Sequence, residues 1–209
     1  MTIFLILLYA LSLVYISIAE RFRTYVSLIA FQGLLLFGIS FFELKKVETL
    51  NLIFIFAETI IFKTIIVPLL LYRVIEKTKS NKVHKTSLPG YYSIILVSFM
   101  LIISYLISFF LQHPAIDKIY FTVSLFALFS GLLLIITHKK IFSHMVGFLV
   151  LENAVFLFSL AIGNEMPMLI NTGILLDIFI GVLILGFFAT KIGDTIQSLE
   201  TEELSHLKD

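Results

Sequence analysis

Apolar residues fall along this chain in long runs, at about 2–19, 24–43, 49–73, 91–112, 118–137, 142–162 and 168–191. Each run is close to the roughly 20 residues that a helix needs to cross about 30 Å of hydrocarbon. Between the runs sit charges, glycine and proline: Glu43 to Glu48, the Lys-rich segment 74–90, His113-Pro114, and the stretches 137–140 and 163–167. The pattern predicts an all-α, polytopic membrane protein of about seven transmembrane helices. No positive residue precedes the first run, and Glu20, Arg21 and Arg23 follow it. It therefore reads as a retained helix, although Ser17-Ile18-Ala19 imitates a signal-peptidase site.

Composition sharpens the picture. Of 209 residues, 59% are hydrophobic and 14% charged, against about 45–50% and about 25% in soluble proteins. A net charge of +1 gives no reason to expect nucleic acid as a partner; the partner implied is the lipid bilayer. The chain has no cysteine, which excludes a disulfide framework and any thiolate-held iron–sulfur, nickel or zinc site within it. Its histidines (His84, His113, His138, His144 and His206) fall in loops, helix ends or the tail. They read as solvated or headgroup groups, and no metal site is expected. With no GxGxxG, P-loop or nucleophile elbow, the chain is not expected to be catalytic alone, and no catalytic or cofactor-binding residue is assigned.

The placement of positive charge gives an orientation. Eleven of the 15 Lys and Arg residues fall in the turn at 21–23, the segment 73–85, the turn at 139–140 and the C-terminal stretch. The opposite side holds Lys45, Lys46 and Lys118, and Lys63 lies inside a run. The positive-inside rule then predicts an integral membrane protein with its N-terminus outside and its C-terminus inside. The basic loop reads as an anchor on anionic lipid. The polar tail, with spaced Ile196, Leu199, Leu204 and Leu207, reads either as a solvated tail or as a short helix docking a partner.

An internal repeat appears when the helices are aligned. Residues 27–42 (SLIAFQGLLLFGISFF) parallel 147–162 (GFLVLENAVFLFSLAI), and 54–73 parallel 173–192. This predicts two three-helix repeats, at 1–73 and 118–192, joined by the cytoplasmic basic loop and a connector helix at 74–117 and followed by a tail at 193–209. Gln32 then corresponds to Glu152, and Glu58 to Asp177.

Charges inside such runs are the candidate chemistry. An ionised acid near the centre of a membrane helix costs roughly 2.5–3.5 kcal/mol on insertion scales, so such residues face a bundle interior or water and mark ion or proton pathways. Glu152 lies about ten residues from either end of its run, roughly 15 Å deep, with Asn153 beside it. It reads as a proton carrier, or as a neutral acid that glues helices by a hydrogen bond. Asp177 shares one helix stripe with Gly173 and Gly181, so it points into a close helix contact, as a proton site or a structural lock. Glu58 and Lys63 lie five apart, about 140° round an α-helix, so each should find a partner on another helix. Pro68 should loosen the helix near Lys63. That lysine sits too deep for its stem to reach the interface, so it reads as a proton carrier and not as a snorkelling group.

The segment 147–191, with LEN at 151–153 and LLD at 175–177, resembles the two acid-bearing helices of the K subunit of bacterial complex I and the C subunit of Mrp-type antiporters. The run KTIIVP at 63–68, Leu199, and Leu207-Lys208 make the chain most similar, over essentially its whole length, to component E of hydrogenase-4. The resemblance implies a membrane subunit of a complex-I-like [NiFe]-hydrogenase or formate hydrogenlyase. Its implied partners are antiporter-like membrane subunits and the redox arm, whose subunits would carry the [NiFe] centre and iron–sulfur clusters. Glu152 matches the first acid of the K subunit's lateral proton pathway and Asp177 replaces the second with a shorter acid. In the first repeat Gln32, which cannot carry a proton charge, and Glu58 take those places.

The expectation is a proton-translocating or energy-coupling subunit with Lys63, Glu152, Asp177 and Glu58 on the pathway and Asn153 and Gln32 in support. The rival is a subunit of a Mrp-type cation/proton antiporter with no redox partner. A third reading is a scaffold whose buried polar groups only fix helix packing.

Overall fold

The computed structural model describes residues 1–43, 53, 55–78, 90–111, 113–114 and 116–162. The predicted seventh helix, with Asp177, and the tail at 193–209 lie outside the described residues, as does most of the basic loop. Within them the chain is all helical: α1 (Thr2–Ile18), α2 (Phe22–Glu43), a π-helix π1 (Ala57–Ile66) running directly into α3 (Val67–Thr78), α4 (Gly90–Phe110), α5 (Lys118–Thr137) and α6 (Ile141–Ile162). Four of these, α2, α4, α5 and α6, are long and apolar enough to cross a membrane.

The helix ends follow local chemistry. The Asp117 carboxylate accepts from the backbone N–H groups of Ile119 and Tyr120, at 2.9 and 3.2 Å, and so caps α5. Extended backbone at Ala19 and His138 ends α1 and α5. Hydroxyls that would be costly in an apolar helix are returned to the helix itself: Ser12, Ser17, Ser40, Ser104, Ser130 and Thr137 each donate to a carbonyl one turn back. The third predicted helix was expected to end at residue 73, but α3 continues to Thr78. Its last turns are polar, so hydropathy alone loses them.

Helices α5 and α6 form the most extensive contact, and glycines explain their closeness. A Cβ on Gly131 would stand 2.9 Å from the carbonyl oxygen of Gly147, and one on Gly147 would stand 2.9 Å from that of Gly131. Small residues let membrane helices approach until backbones touch. Helix α2 packs on α1, π1, α3 and α6 and is the centre of the bundle. Helix α4 lies at the edge, with 22% of its apolar window buried against 56% for the other three long helices.

The bundle has a basic end and a mixed end. At the first, Lys140 Nζ lies 5.2 Å over the Phe22 ring, bringing the 139–140 turn beside Arg21 and Arg23. At the other, the Tyr120 hydroxyl donates to Glu43 Oε2 at 3.1 Å, near Asp117 and Lys118. One expectation is corrected at the basic end. His138 is no solvated loop residue: it is buried, its Nε2 is 3.1 Å from the Tyr25 hydroxyl, and its Nδ1 is 2.9 Å from Thr137 Oγ1 and 3.1 Å from the Leu134 carbonyl. The chain turns sharply here between two packed helices, which folds the imidazole under the turn. Burial holds its pKa below the usual histidine value.

Candidate functional site

Glu152 sits midway along α6, and the helical period sends its neighbours different ways. Phe156, one turn on, shares its face, whereas Asn153 points about 100° round the helix. The structure uses both directions. Towards π1, Lys63 Nζ lies 3.2 Å from Glu152 Oε1, and the two side chains are only 6% and 8% exposed. The same ammonium lies 4.8 Å over the Phe156 ring, a cation–π contact that partly replaces the water it has lost. Towards α2, the Asn153 amide donates to Gln32 Oε1 at 3.3 Å.

The polar groups continue beyond α2. Gln32 Nε2 donates to Ser12 Oγ at 3.0 Å, and Ser12 Oγ donates to the Tyr9 carbonyl at 2.6 Å. The Tyr9 hydroxyl is fully buried, close enough to Glu152 and Asn153 to interact electrostatically with both. It is outside hydrogen-bond geometry to any described group. Ser12, Gln32 and Glu152 each sit near the middle of their helix. The result is a polar chain running sideways across the middle of the helices, from α1 through α2 and α6 to π1.

Two backbone features put Lys63 there. Gly33, beside Gln32, lets π1 press against α2: a Cβ at 33 would stand 3.0 Å from the Lys63 carbonyl carbon and 2.8 Å from Thr64 Oγ1. The helix around Lys63 is π-helical over Ala57–Ile66, with Val67 N–H bonded to the Phe62 carbonyl and Thr64 Oγ1 donating to the Thr59 carbonyl at 2.8 Å. Pro68, just past the end of this stretch, has no backbone N–H to offer the preceding turn. Runs of π-helix are rare and tend to mark functional sites.

The π register also revises the expected geometry of Glu58 and Lys63. In an α-helix positions 58 and 63 diverge by about 140°, and the wider π turn narrows that angle. The Glu58 side chain is outside the described residues, as is Asp177. Of the predicted groups, Lys63, Glu152, Asn153 and Gln32 are brought together. The contact between Gln32 and Asn153 places the middle of α2 against the middle of α6. Sequence reasoning missed Ser12, Tyr9, Gly33 and Phe156. Ser12 and Gly33 had a signal, as small or polar residues within apolar runs, whereas Tyr9 and Phe156 had none.

Chemically, the arrangement offers an acid and a base in contact. One proton passing from Lys63 Nζ to Glu152 Oε1 turns an ion pair into a neutral pair, which costs less to hold away from water. Among the described residues no group of His, Asp and Glu could hold a metal ion. No family model, curated protein or solved structure matches the chain.

Proposed function

We propose that this chain is a non-catalytic membrane subunit of a complex-I-like, membrane-bound [NiFe]-hydrogenase, taking part in proton translocation and energy coupling. The observation that carries the reading is the Lys63–Glu152 pair, 3.2 Å apart and almost closed to solvent. Membrane proteins seldom hold an acid and a lysine at such depth without using them. A structural lock needs only the pair, whereas this one adjoins a lateral run of amides and hydroxyls through Asn153, Gln32 and Ser12. In this reading Lys63 and Glu152 exchange the proton, Asn153 and Gln32 orient the carboxylate's surroundings, and Glu58 and Asp177 are the further carriers. The basic end of the bundle faces the cytoplasm. The resemblance in helices 3, 6 and 7 supplies the class of complex, with the [NiFe] centre and iron–sulfur clusters in partner subunits.

Two measurements test it. Purification of the chain from native membranes in mild detergent should bring down hydrogenase-like subunits with nickel and iron. Antiporter-like companions without metal would move the chain to the ion-exchange class. In closed vesicles of the intact assembly, Glu152→Gln should leave the complex assembled while abolishing most of its proton translocation. Unchanged translocation in that variant would sink the proton-carrier role.

A further inference from the structure

A groove of about 430 Å³ runs along the outside of α1 and α2, over Leu8, Leu11, Tyr15, Ile18, Leu28 and Phe31, with Ser12 in its floor. It continues into a second recess of about 450 Å³ at the basic end, lined by Arg21, Arg23, Thr24 and Ser27 and sharing Tyr15 and Leu28 with the first. Both volumes fall in the roughly 300–1,000 Å³ range of ligand clefts. The two recesses differ in chemistry. The groove is walled by aliphatic and aromatic side chains, whereas two of the six residues lining the recess are arginines and none is acidic. Both arginines are exposed, and the Ser27 hydroxyl lies 3.2 Å from that of Tyr72 at the rim.

The dimensions select an occupant. From Leu8 to Ile18 the groove covers ten residue steps of α1, about 15 Å, which is half of the roughly 30 Å hydrocarbon core and so the depth of one leaflet. A partner helix would need a seam across both leaflets. An acyl chain needs one leaflet only, and its headgroup would then lie where the arginines are. Guanidinium groups match phosphate oxygens with paired hydrogen bonds. Basic recesses between membrane helices are suited to anionic headgroups. A zwitterionic headgroup would bring its own cation against the same arginines.

We propose that α1 and α2 form a binding site for one anionic phospholipid. Its phosphate is held by Arg21 and Arg23 with the Thr24 and Ser27 hydroxyls alongside, and one acyl chain lies in the groove between Leu11, Tyr15, Leu28 and Phe31. The site does not depend on the proton-transfer reading, since none of the residues holding the lipid belongs to the Lys63–Glu152 pair.

The test is lipid titration of the purified full chain, with whatever companions it retains, followed by native mass spectrometry. The probes are phosphatidylglycerol and phosphatidylcholine of the same chain length. The wild-type protein should retain phosphatidylglycerol roughly tenfold better than phosphatidylcholine, and Arg21→Gln with Arg23→Gln should remove that preference. The Arg21→Lys, Arg23→Lys variant keeps the charge and should keep part of the preference, which separates headgroup recognition from any loss of folding. Leu28→Trp, filling the groove, should weaken both lipids. Equal retention of the two lipids by the wild type, or undiminished preference in the double glutamine variant, would overturn the proposal.

Discussion

Gly33 and Lys63 are in contact through their backbones: a single added methyl at Gly33 would stand 3.0 Å from the Lys63 carbonyl carbon. The carbonyl belongs to a π-helical turn and cannot swing aside as a side chain could. Gly33→Ala should therefore destabilise the protein by about 1–3 kcal/mol, the usual range for an overpacked core. Thermal unfolding in detergent measures this. Gly33→Leu should in addition lower proton translocation, because it pushes Lys63 away from Glu152. A wild-type melting temperature in Gly33→Ala would mean that α2 and π1 do not touch there.

Lys63 and Glu152 form a buried pair, so the two single losses and the double loss should differ. Lys63→Met leaves a carboxylate without its partner cation in an apolar bundle, and breaking such pairs costs about 3–5 kcal/mol. Lys63→Met combined with Glu152→Leu removes both charges and should recover most of the lost stability without recovering translocation. A double-mutant cycle read by chemical unfolding in detergent, alongside a vesicle translocation assay, separates the two roles. Recovery of both stability and translocation would make the pair a structural lock.

Gly131 and Gly147 bring α5 and α6 together at backbone distance. At Gly147 an added Cβ would meet the Gly131 carbonyl oxygen at 2.9 Å and Ile135 Cγ1 at 2.6 Å. The isoleucine can yield and the carbonyl cannot. Gly147→Ala should cost about 1–3 kcal/mol, and Gly131→Ala a similar amount. Because each acts on the same seam, their effects should not add, which a double variant in the same unfolding assay will reveal.

His138 should make stability depend on pH just below neutrality. Folded His138 takes up its proton only below the ordinary value because burial disfavours the imidazolium, and His144 nearby works in the same direction. The unfolded chain protonates near 6.5. Between those two points the unfolded state binds more protons, so stability falls as pH drops below about 6.5 and is independent of this group above it. His138→Gln should flatten the curve in that window. Tyr25→Phe, which removes the 3.1 Å contact to Nε2, should lower stability at all pH values by about 0.5–1.5 kcal/mol.

Much of the site was legible before any coordinates. Glu152 and Lys63 stood out because a charge in an apolar run carries a solvation cost that can be read from one residue and its neighbours. Asn153 stood out by its adjacency to Glu152, and Gln32 as a polar residue within an apolar run. Their partners did not follow, because Asn153 and Gln32 lie 121 residues apart and the rotation of one helix against another is not written in hydropathy. The burial of His138 was missed for a related reason. A histidine at the end of an apolar run looks solvated until the turn is seen to fold it beneath Tyr25.

The sequence by itself determined that the chain is helical, that several of its helices are long and apolar enough to cross a membrane, and that acids and a lysine lie inside apolar runs. These are properties of single residues and short windows, fixed by the free energy of moving side chains and peptide groups out of water. Only the tertiary structure decided that Lys63 turns towards Glu152, that Asn153 reaches Gln32 and Gln32 in turn reaches Ser12, and that the helix at Lys63 widens to a π register. Those outcomes depend on how closely two backbones approach. Gly33 permits that approach at Lys63 by the absence of a side chain, an effect that appears only when the neighbouring helix is in place.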